Sequence, residues 1–348
     1  YVHPAIADQV IRDGKADMVA FGRALIAEPE LINKYAENRL DSVRVCLGCN
    51  EGCTGHTGKL LDITCAINPR AGYEGKYPLG VKADKALKVA VVGAGPAGLQ
   101  AALTAAQRGH SVTLFERGED IGGLLHPASR PPFKDSLMEL VRYFRHELDA
   151  LGVNIRCGVT VTGQLLQAQA FDMTLLATGS RPVIPRFAAE LPNMTTAEHI
   201  LLEAIKPGHR VLIIGGGMIG CELADFLGER GHAVTILEMR PEVAQDMEWR
   251  ARHTLMPRLE RYGVTLLTGM EVMETANTGR IRIRDAYGVE EWLEPFDTTA
   301  ISVGYRPEKM LARELEHMRL PYKAIGDCVV PGKILDAMHQ GLAAAYAL

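Results

Sequence analysis

No run of apolar residues in this chain approaches the ~20 that a membrane-spanning helix requires. Nor is there a surplus of positive charge. The formal net charge is −4, which argues against nucleic acid or an anionic membrane surface as a partner. No secretory leader is visible, so the expected location is the cytoplasm. An even, regularly spaced set of cysteines is missing as well. There are seven, an odd number, and four are bunched, which suits metal ligation in a reducing compartment better than a disulfide framework. The rest of the composition is ordinary for a globular protein with a full core: 47% hydrophobic, 23% charged, 348 residues. That length suggests two or three domains.

Residues 89–98 read VAVVGAGPAG. An apolar strand runs into Gly93-x-Gly95-x-x-Gly98, an alanine-rich helix follows, and a second strand, 111–115, ends at Glu116. This is a βαβ unit carrying a dinucleotide fingerprint. Gly93 permits the tight turn, Gly95 lets backbone approach a pyrophosphate, and Gly98 lets helix and strand pack closely. The helix N-terminus offers free N–H groups to phosphate, and Glu116 is placed to accept from a ribose hydroxyl. Residues 211–240 repeat the pattern as VLIIGGGMIG, a helix and AVTILEMR, with Gly215, Gly217, Gly220 and Glu238. The first glycine and the acid are 23 residues apart in both copies, and Gly109-His110 recurs as Gly231-His232. Two copies imply two ligands. Glu238 would repel a 2′-phosphate and bond a free 2′-hydroxyl, favouring NADH over NADPH, although Arg240 could partly answer a phosphate. Further apolar strands end in LLATGSRP (175–182) and AISVGYRP (300–307). AIGDCVV, near the end, places Gly326-Asp327 before a helix over 334–347.

Cys46-x2-Cys49-x3-Cys53-x11-Cys65 lies in a segment broken by Gly and Asn, expected to be a loop. Four thiolates there could hold zinc or an iron–sulfur cluster. Three bunched cysteines with a distant fourth favour a 4Fe–4S cluster over paired zinc knuckles. His56 reads as a surface or outer-shell residue. Cys157, Cys221 and Cys328 are isolated and read as core residues.

The two fingerprints, the strand–Gly326-Asp327 return and the intervening ATG segment resemble the flavoprotein reductases with two dinucleotide domains. In those, an NAD(P)H domain is inserted into a split FAD domain. The C-x4-C pair that many members carry is absent. Residues 16–29, ADMVAFGRALIAEP, add a strand over 17–21 that ends at Gly22-Arg23, with helices over 4–12 and 29–38. With the cysteine loop, this order resembles the 2,4-dienoyl-CoA reductase and trimethylamine dehydrogenase group of iron–sulfur flavoenzymes. Members carry an old-yellow-enzyme-type (β/α)8 barrel with FMN, then the four-cysteine loop, then the FAD and NAD(P)H domains.

The resemblance implies an α/β chain. Residues 1–40 are the end of an incomplete barrel, 41–84 the cluster loop and linker, 85–200 and 311–348 the FAD domain, and 201–310 the NAD(P)H domain. It also implies FAD contacts at Gly93, Gly95, Ala97, Gly98, Glu116, Gly123, Leu124, Lys134, Val161 and Asp327. Val161 is expected in a strand over 158–162, GVTVT. Plain packing at Leu124 and Val161, or a solvated charge at Lys134, also explains those three. NAD(P)H is assigned to Gly215, Gly217, Gly220 and Glu238, the FMN phosphate to Gly22 and Arg23, and the cluster to Cys46, Cys49, Cys53 and Cys65. The implied activity passes electrons from NADH through FAD and the cluster to FMN, which reduces an activated C=C bond in an enoyl-CoA, an enoate or a steroid or bile-acid enone. The acid or base that handles substrate lies outside the residues present. Two alternatives stand. One is an amine dehydrogenase-type enzyme sending electrons outward with ADP in place of FAD. The other is a non-catalytic electron-transfer subunit. The chain starts at Tyr1 rather than Met and reads as part of a longer enzyme or a subunit of a split one. Its expected partners are therefore a barrel portion or barrel-bearing subunit, with a homo-oligomer also open.

Overall fold

The structure, a computed structural model, describes residues 3–348, so the first two residues of the 1–40 segment lie outside it. Two compact units form. One comprises the chain up to His126, Asp135–Ser180 and Pro307–Leu348; the other comprises Pro127–Lys134 and Arg181–Arg306.

The first unit is built on a five-stranded parallel sheet. Its order is Tyr322–Ala324, Met173–Leu176, Lys88–Val92, Ser111–Phe115, Asn154–Arg156. In the central strand Val89 to Val92 are all buried, as a parallel sheet covered on both faces demands. The following helix, Pro96–Gln107, is buried from Ala97 through Ala105. Such a helix is apolar all round because it is covered all round. The sheet lies on one side and the C-terminal helix Ile334–Tyr346 on another. The two helices pack backbone to backbone: a methyl on Gly341 would sit 2.4 Å from the Ala97 carbonyl oxygen.

The second unit repeats the plan. Its parallel sheet runs Met194–Thr196, Thr298–Ile301, Arg210–Ile214, Ala233–Glu238, Thr265–Thr268. Helix Met218–Glu229 is buried from Gly220 to Gly228. An antiparallel meander not anticipated from sequence, Glu271–Thr275, Ile281–Arg284 and Glu290–Leu293, adds Ile281 and Ile283 to the core containing Leu212 and Ile214. In both sheets the chain builds outward from the central strand on one side and then crosses to the other. That reversal makes the crevice where such folds bind ligands.

Three sequence expectations need correction. The strand over 17–21 does not form: the segment pairs with no neighbouring strand among the described residues. Only the helices around it form, Pro4–Arg12, Arg23–Ala27 and Leu31–Ala36, over a small core of Ala24, Leu31, Val43 and Val45. The stretch around Val161 is likewise no strand; it leads into Thr162, which caps helix Gly163–Gln169 by accepting from the Leu165 N–H. Within the cysteine loop one helical turn, Thr54–Thr57, forms.

Candidate functional sites: two glycine cradles and a four-cysteine cavity

In the first unit, Gly93 turns the chain out of the central strand at φ +103°, and a side chain there would lie 2.2 Å from the Ala177 carbonyl oxygen. A methyl on Gly98 would lie 1.9 Å from the Gly93 carbonyl oxygen, so helix and turn touch as backbone. Gly95 differs: nothing stands within 4 Å of where its Cβ would be. Two glycines are thus needed by the protein and one leaves open space above the N-terminus of the helix, the arrangement a pyrophosphate requires. Glu116 is locked beside it. Its Oε2 accepts from the Ala94 N–H and its Oε1 from the Gly118 N–H, both at 2.8 Å.

Other expected residues gather at this loop. A methyl on Gly123 would lie 3.1 Å from Gly95 Cα, and one on Gly326 2.8 Å from Ala97 Cβ. The loop, the 122–123 turn and the Gly326-Asp327 corner therefore meet. Asp327 accepts from Ser180 Oγ at 3.0 Å and from the Gly332 N–H at 3.1 Å, while burial pushes its carboxyl above the usual range. Ser180 was not singled out from sequence. Leu124 is partly exposed, and Val161 packs against the cluster holding Phe115 and Leu166.

The second unit's loop matches. A methyl on Gly220 would meet the Gly215 carbonyl oxygen at 2.0 Å; Gly215 has φ +106° and would meet Ser302 O at 2.2 Å. Glu238, buried, accepts from the Gly216 N–H at 2.6 Å and from the Arg240 N–H at 2.8 Å. Helix Met218–Glu229 also carries two buried acids. Asp225 is gripped by Arg258 at 2.8 Å, and Glu222 pairs with Lys134. Burial raises the Glu222 carboxyl above its ordinary range even against the nearby Lys134 ammonium. Lys134, assigned from sequence to the FAD phosphates, therefore has a carboxylate partner in the second unit, whose Pro127–Lys134 segment holds it.

Cys46, Cys49, Cys53 and Cys65 line one small cavity with Ile26, Leu47, Ala66 and Ile67. Burial, and then the neighbouring Cys65 and Cys53, push the Cys49 thiol up to about 12. Among the described residues no three His, Cys, Asp or Glu side chains converge as ligands of a single ion. Arg23 lines the same cavity and donates to Asn50 Oδ1 at 2.6 Å. This puts the residue assigned to an FMN phosphate against the cysteine loop, while Gly22 has open space around it. His56 bonds the Asp62 carbonyl at 2.8 Å. Cys221 and Cys328 are buried as expected, and Cys157 is only half-buried.

The model of the family described as pyridine nucleotide-disulphide oxidoreductase matches residues 87–333. An NADH oxidase of Thermoanaerobacter brockii is 38% identical over 350 residues, pairing 99% of this chain with 54% of its own. A cinnamate reductase of Clostridium sporogenes is 35% identical over 339 residues, 97% of this chain and 50% of its own. A solved 2-naphthoyl-CoA reductase, in complex with 2-naphthoyl-CoA, superposes with a TM-score of 0.95 at 29% identity, covering all of this chain and 53% of its own. The chain thus spans about half the length of the relatives it matches. No helix among the described residues is long and apolar enough to cross a membrane. By this match and these relatives, the chain belongs to the pyridine nucleotide-disulphide oxidoreductase family, as the portion it shares with the 2,4-dienoyl-CoA reductase-like flavoenzymes.

Proposed function

We propose that this chain is the electron-input portion of an iron–sulfur flavoprotein reductase. The observation that carries the reading is the presence, on one chain, of two intact glycine cradles with locked acids and one cavity lined by four thiols. FAD is assigned to the first cradle, NAD(P)H to the second and a 4Fe–4S cluster to the cavity. When bound, these groups supply hydride acceptance and one-electron release toward an FMN-bearing barrel; the redox chemistry is theirs.

The chain's own residues bind, orient and exclude water. Gly95 leaves open space for pyrophosphate at its helix N-terminus, and at Gly217 only the Asp246 side chain stands within 4 Å. Glu116 and Glu238 are oriented by paired amides, and their remaining lone pairs are left for ribose hydroxyls. The Glu238 carboxylate disfavours a 2′-phosphate by like-charge repulsion, so NADH is preferred over NADPH. Ile26, Leu47 and Ile67 give the cysteine cavity a dry wall, which suits a cluster. Three bunched cysteines with a distant fourth favour this cluster over zinc, whose structural sites usually pair two short cysteine knuckles. The proposed boundaries are 1–40 for the barrel remnant and 41–84 for the cluster loop, while the FAD and NAD(P)H portions expected at 85–200 with 311–348 and at 201–310 are redrawn at the edges of the two units, with FAD on 85–180 and 307–348 and NAD(P)H on 181–306. With cinnamate and 2-naphthoyl-CoA reductases among the relatives, an activated C=C bond is the proposed final acceptor in the intact enzyme.

The test uses this chain reconstituted anaerobically with FAD, iron and sulfide. It should bind one flavin and about four irons and pass electrons from NADH to a dye. Cys49→Ser should abolish iron uptake and leave flavin content near that of the parent. Failure of the reconstituted chain to oxidise NADH with a flavin-type acceptor would sink the proposal.

A further inference from the structure

The two glycine fingerprints repeat at an offset of 122 positions, and the equivalence runs beyond the motifs. The Gly122 N–H donates to the Ala94 carbonyl at 2.8 Å, and its counterpart, the Ala244 N–H, donates to the Gly216 carbonyl at 2.7 Å. The register therefore holds past each acid. Two residues further on it sets Leu124 against Asp246. At the first helical residue it sets Pro96 against Met218.

Those two differences act on one spot. Pro96 has no N–H to present to a ligand. Met218 has one, and it donates to Asp246 Oδ1 at 2.8 Å. Asp246 Oδ2 lies 3.4 Å from the place a Gly217 Cβ would take. A carboxylate thus stands at the N-terminus of a 12-residue helix, over the glycine left bare for pyrophosphate. It gains there what a phosphate would gain, a backbone N–H and the positive end of the helix dipole. Asp246 itself is exposed, so it is free to swing into solvent.

We propose that Asp246 is an internal competitor of the nicotinamide nucleotide. It fills the pyrophosphate position of the second cradle when no dinucleotide is there and must leave before one binds. The first cradle has a leucine at this position and so has no competitor for a cofactor that stays. The second has one, which lowers affinity and speeds release of a co-substrate that must exchange at every turnover. The inference rests on the reading of the second unit as the NAD(P)H site, and it names the residue that sets exchange there.

The test compares the FAD-loaded full chain with its D246N, D246A and D246L variants. NADH and ADP-ribose are titrated calorimetrically, with adenosine as the probe lacking a pyrophosphate, and dissociation is followed by stopped flow. Removal of the charge should tighten NADH and ADP-ribose about tenfold, mainly through slower release, and leave adenosine unchanged. A merely structural cap would give the opposite sign, because its loss would loosen the cradle and weaken all three ligands. D246N keeps shape and acceptor, so it remains informative if D246A folds poorly. Wild-type binding of NADH with unchanged or weaker binding by D246N overturns the proposal alone. No binding of NADH or ADP-ribose by the wild type overturns the reading of the second unit and this proposal with it.

Discussion

The two units share a backbone plan and differ in what surrounds it. Both hold an acid with two amides, both press a glycine against the carbonyl that opens the turn, and both place their loop at the reversal of a parallel sheet. Around the first helix the environment is apolar, with Ile334–Tyr346 packed against it through Gly341 and only Gln100 and Thr104 as buried polar side chains. Around the second, Glu222 and Asp225 are buried and balanced by Lys134 and Arg258. Even the fifth strand differs in origin, from the end of the chain in the first sheet and from the start of the unit in the second. The motif sets the shape of a dinucleotide cradle. The residues outside it set how a ligand is kept.

The glycines give the largest expected effects, and they separate shape from ligand. Gly98→Ala and Gly220→Ala would each drive a methyl to within 2.0 Å of a backbone oxygen that cannot yield. Each should cost about 3 kcal/mol or more, seen as a melting transition lowered by several degrees. Gly95→Ala meets nothing within 4 Å, so it should melt like the parent and instead lose flavin on gel filtration. If Gly98→Ala and Gly95→Ala behave alike in both assays, the division between packing glycines and ligand glycines is wrong.

The acids come next. Glu116 and Glu238 are held alike, yet one faces a cofactor assigned as resident and the other a co-substrate. Glu238→Ser should weaken NADH more than NADPH, narrowing the ratio of their kcat/KM values about tenfold, since a bond to the 2′-hydroxyl and a repulsion of the 2′-phosphate go together. Glu116→Ser should leave that ratio unchanged and show instead as flavin lost during purification. An unchanged ratio in Glu238→Ser would remove this residue as the discriminator.

Much of this was legible in the sequence because the fingerprint is local. Turn, helix and second strand lie within 24 residues, and each glycine has a steric reason visible in the string itself. The helix over Pro4–Arg12, opened by proline at its first turn, and the strand Ser111–Phe115 form as read. The strand over 17–21 was misread because a strand needs a neighbour, and apolar residues in a row do not say whether one is present. The Glu222 partner of Lys134 was not legible for a related reason: it is 88 residues away, and long-range ion pairs leave no spacing to read. Asp246 was recoverable in principle. Extending the internal repeat eight residues past the acid would have set it against Leu124 and shown a charge where the first copy has none.

The smallest expected effect tests the repeat at a position with no ligand role. His110 and His232 are equivalent, yet they use the same ring atom in opposite ways. His110 Nδ1 accepts from the Leu87 N–H at 3.1 Å, whereas His232 Nδ1 meets the Gly208 carbonyl at 2.8 Å and must donate. The His110 Nε2 is buried and finds no partner. Burial, and then the Arg108 guanidinium, lower the His110 pKa from its ordinary value of 6.5. The folded chain therefore takes up this proton less readily than the unfolded chain. Stability should fall as pH drops through 6.5 and level off below the lowered folded value. His110→Asn supplies an acceptor for Leu87 that does not titrate. Denaturation midpoints at pH 7.5 and 5.5 should therefore differ less in the variant than in the parent, and an equal difference would show that this histidine does not sense pH through its buried ring.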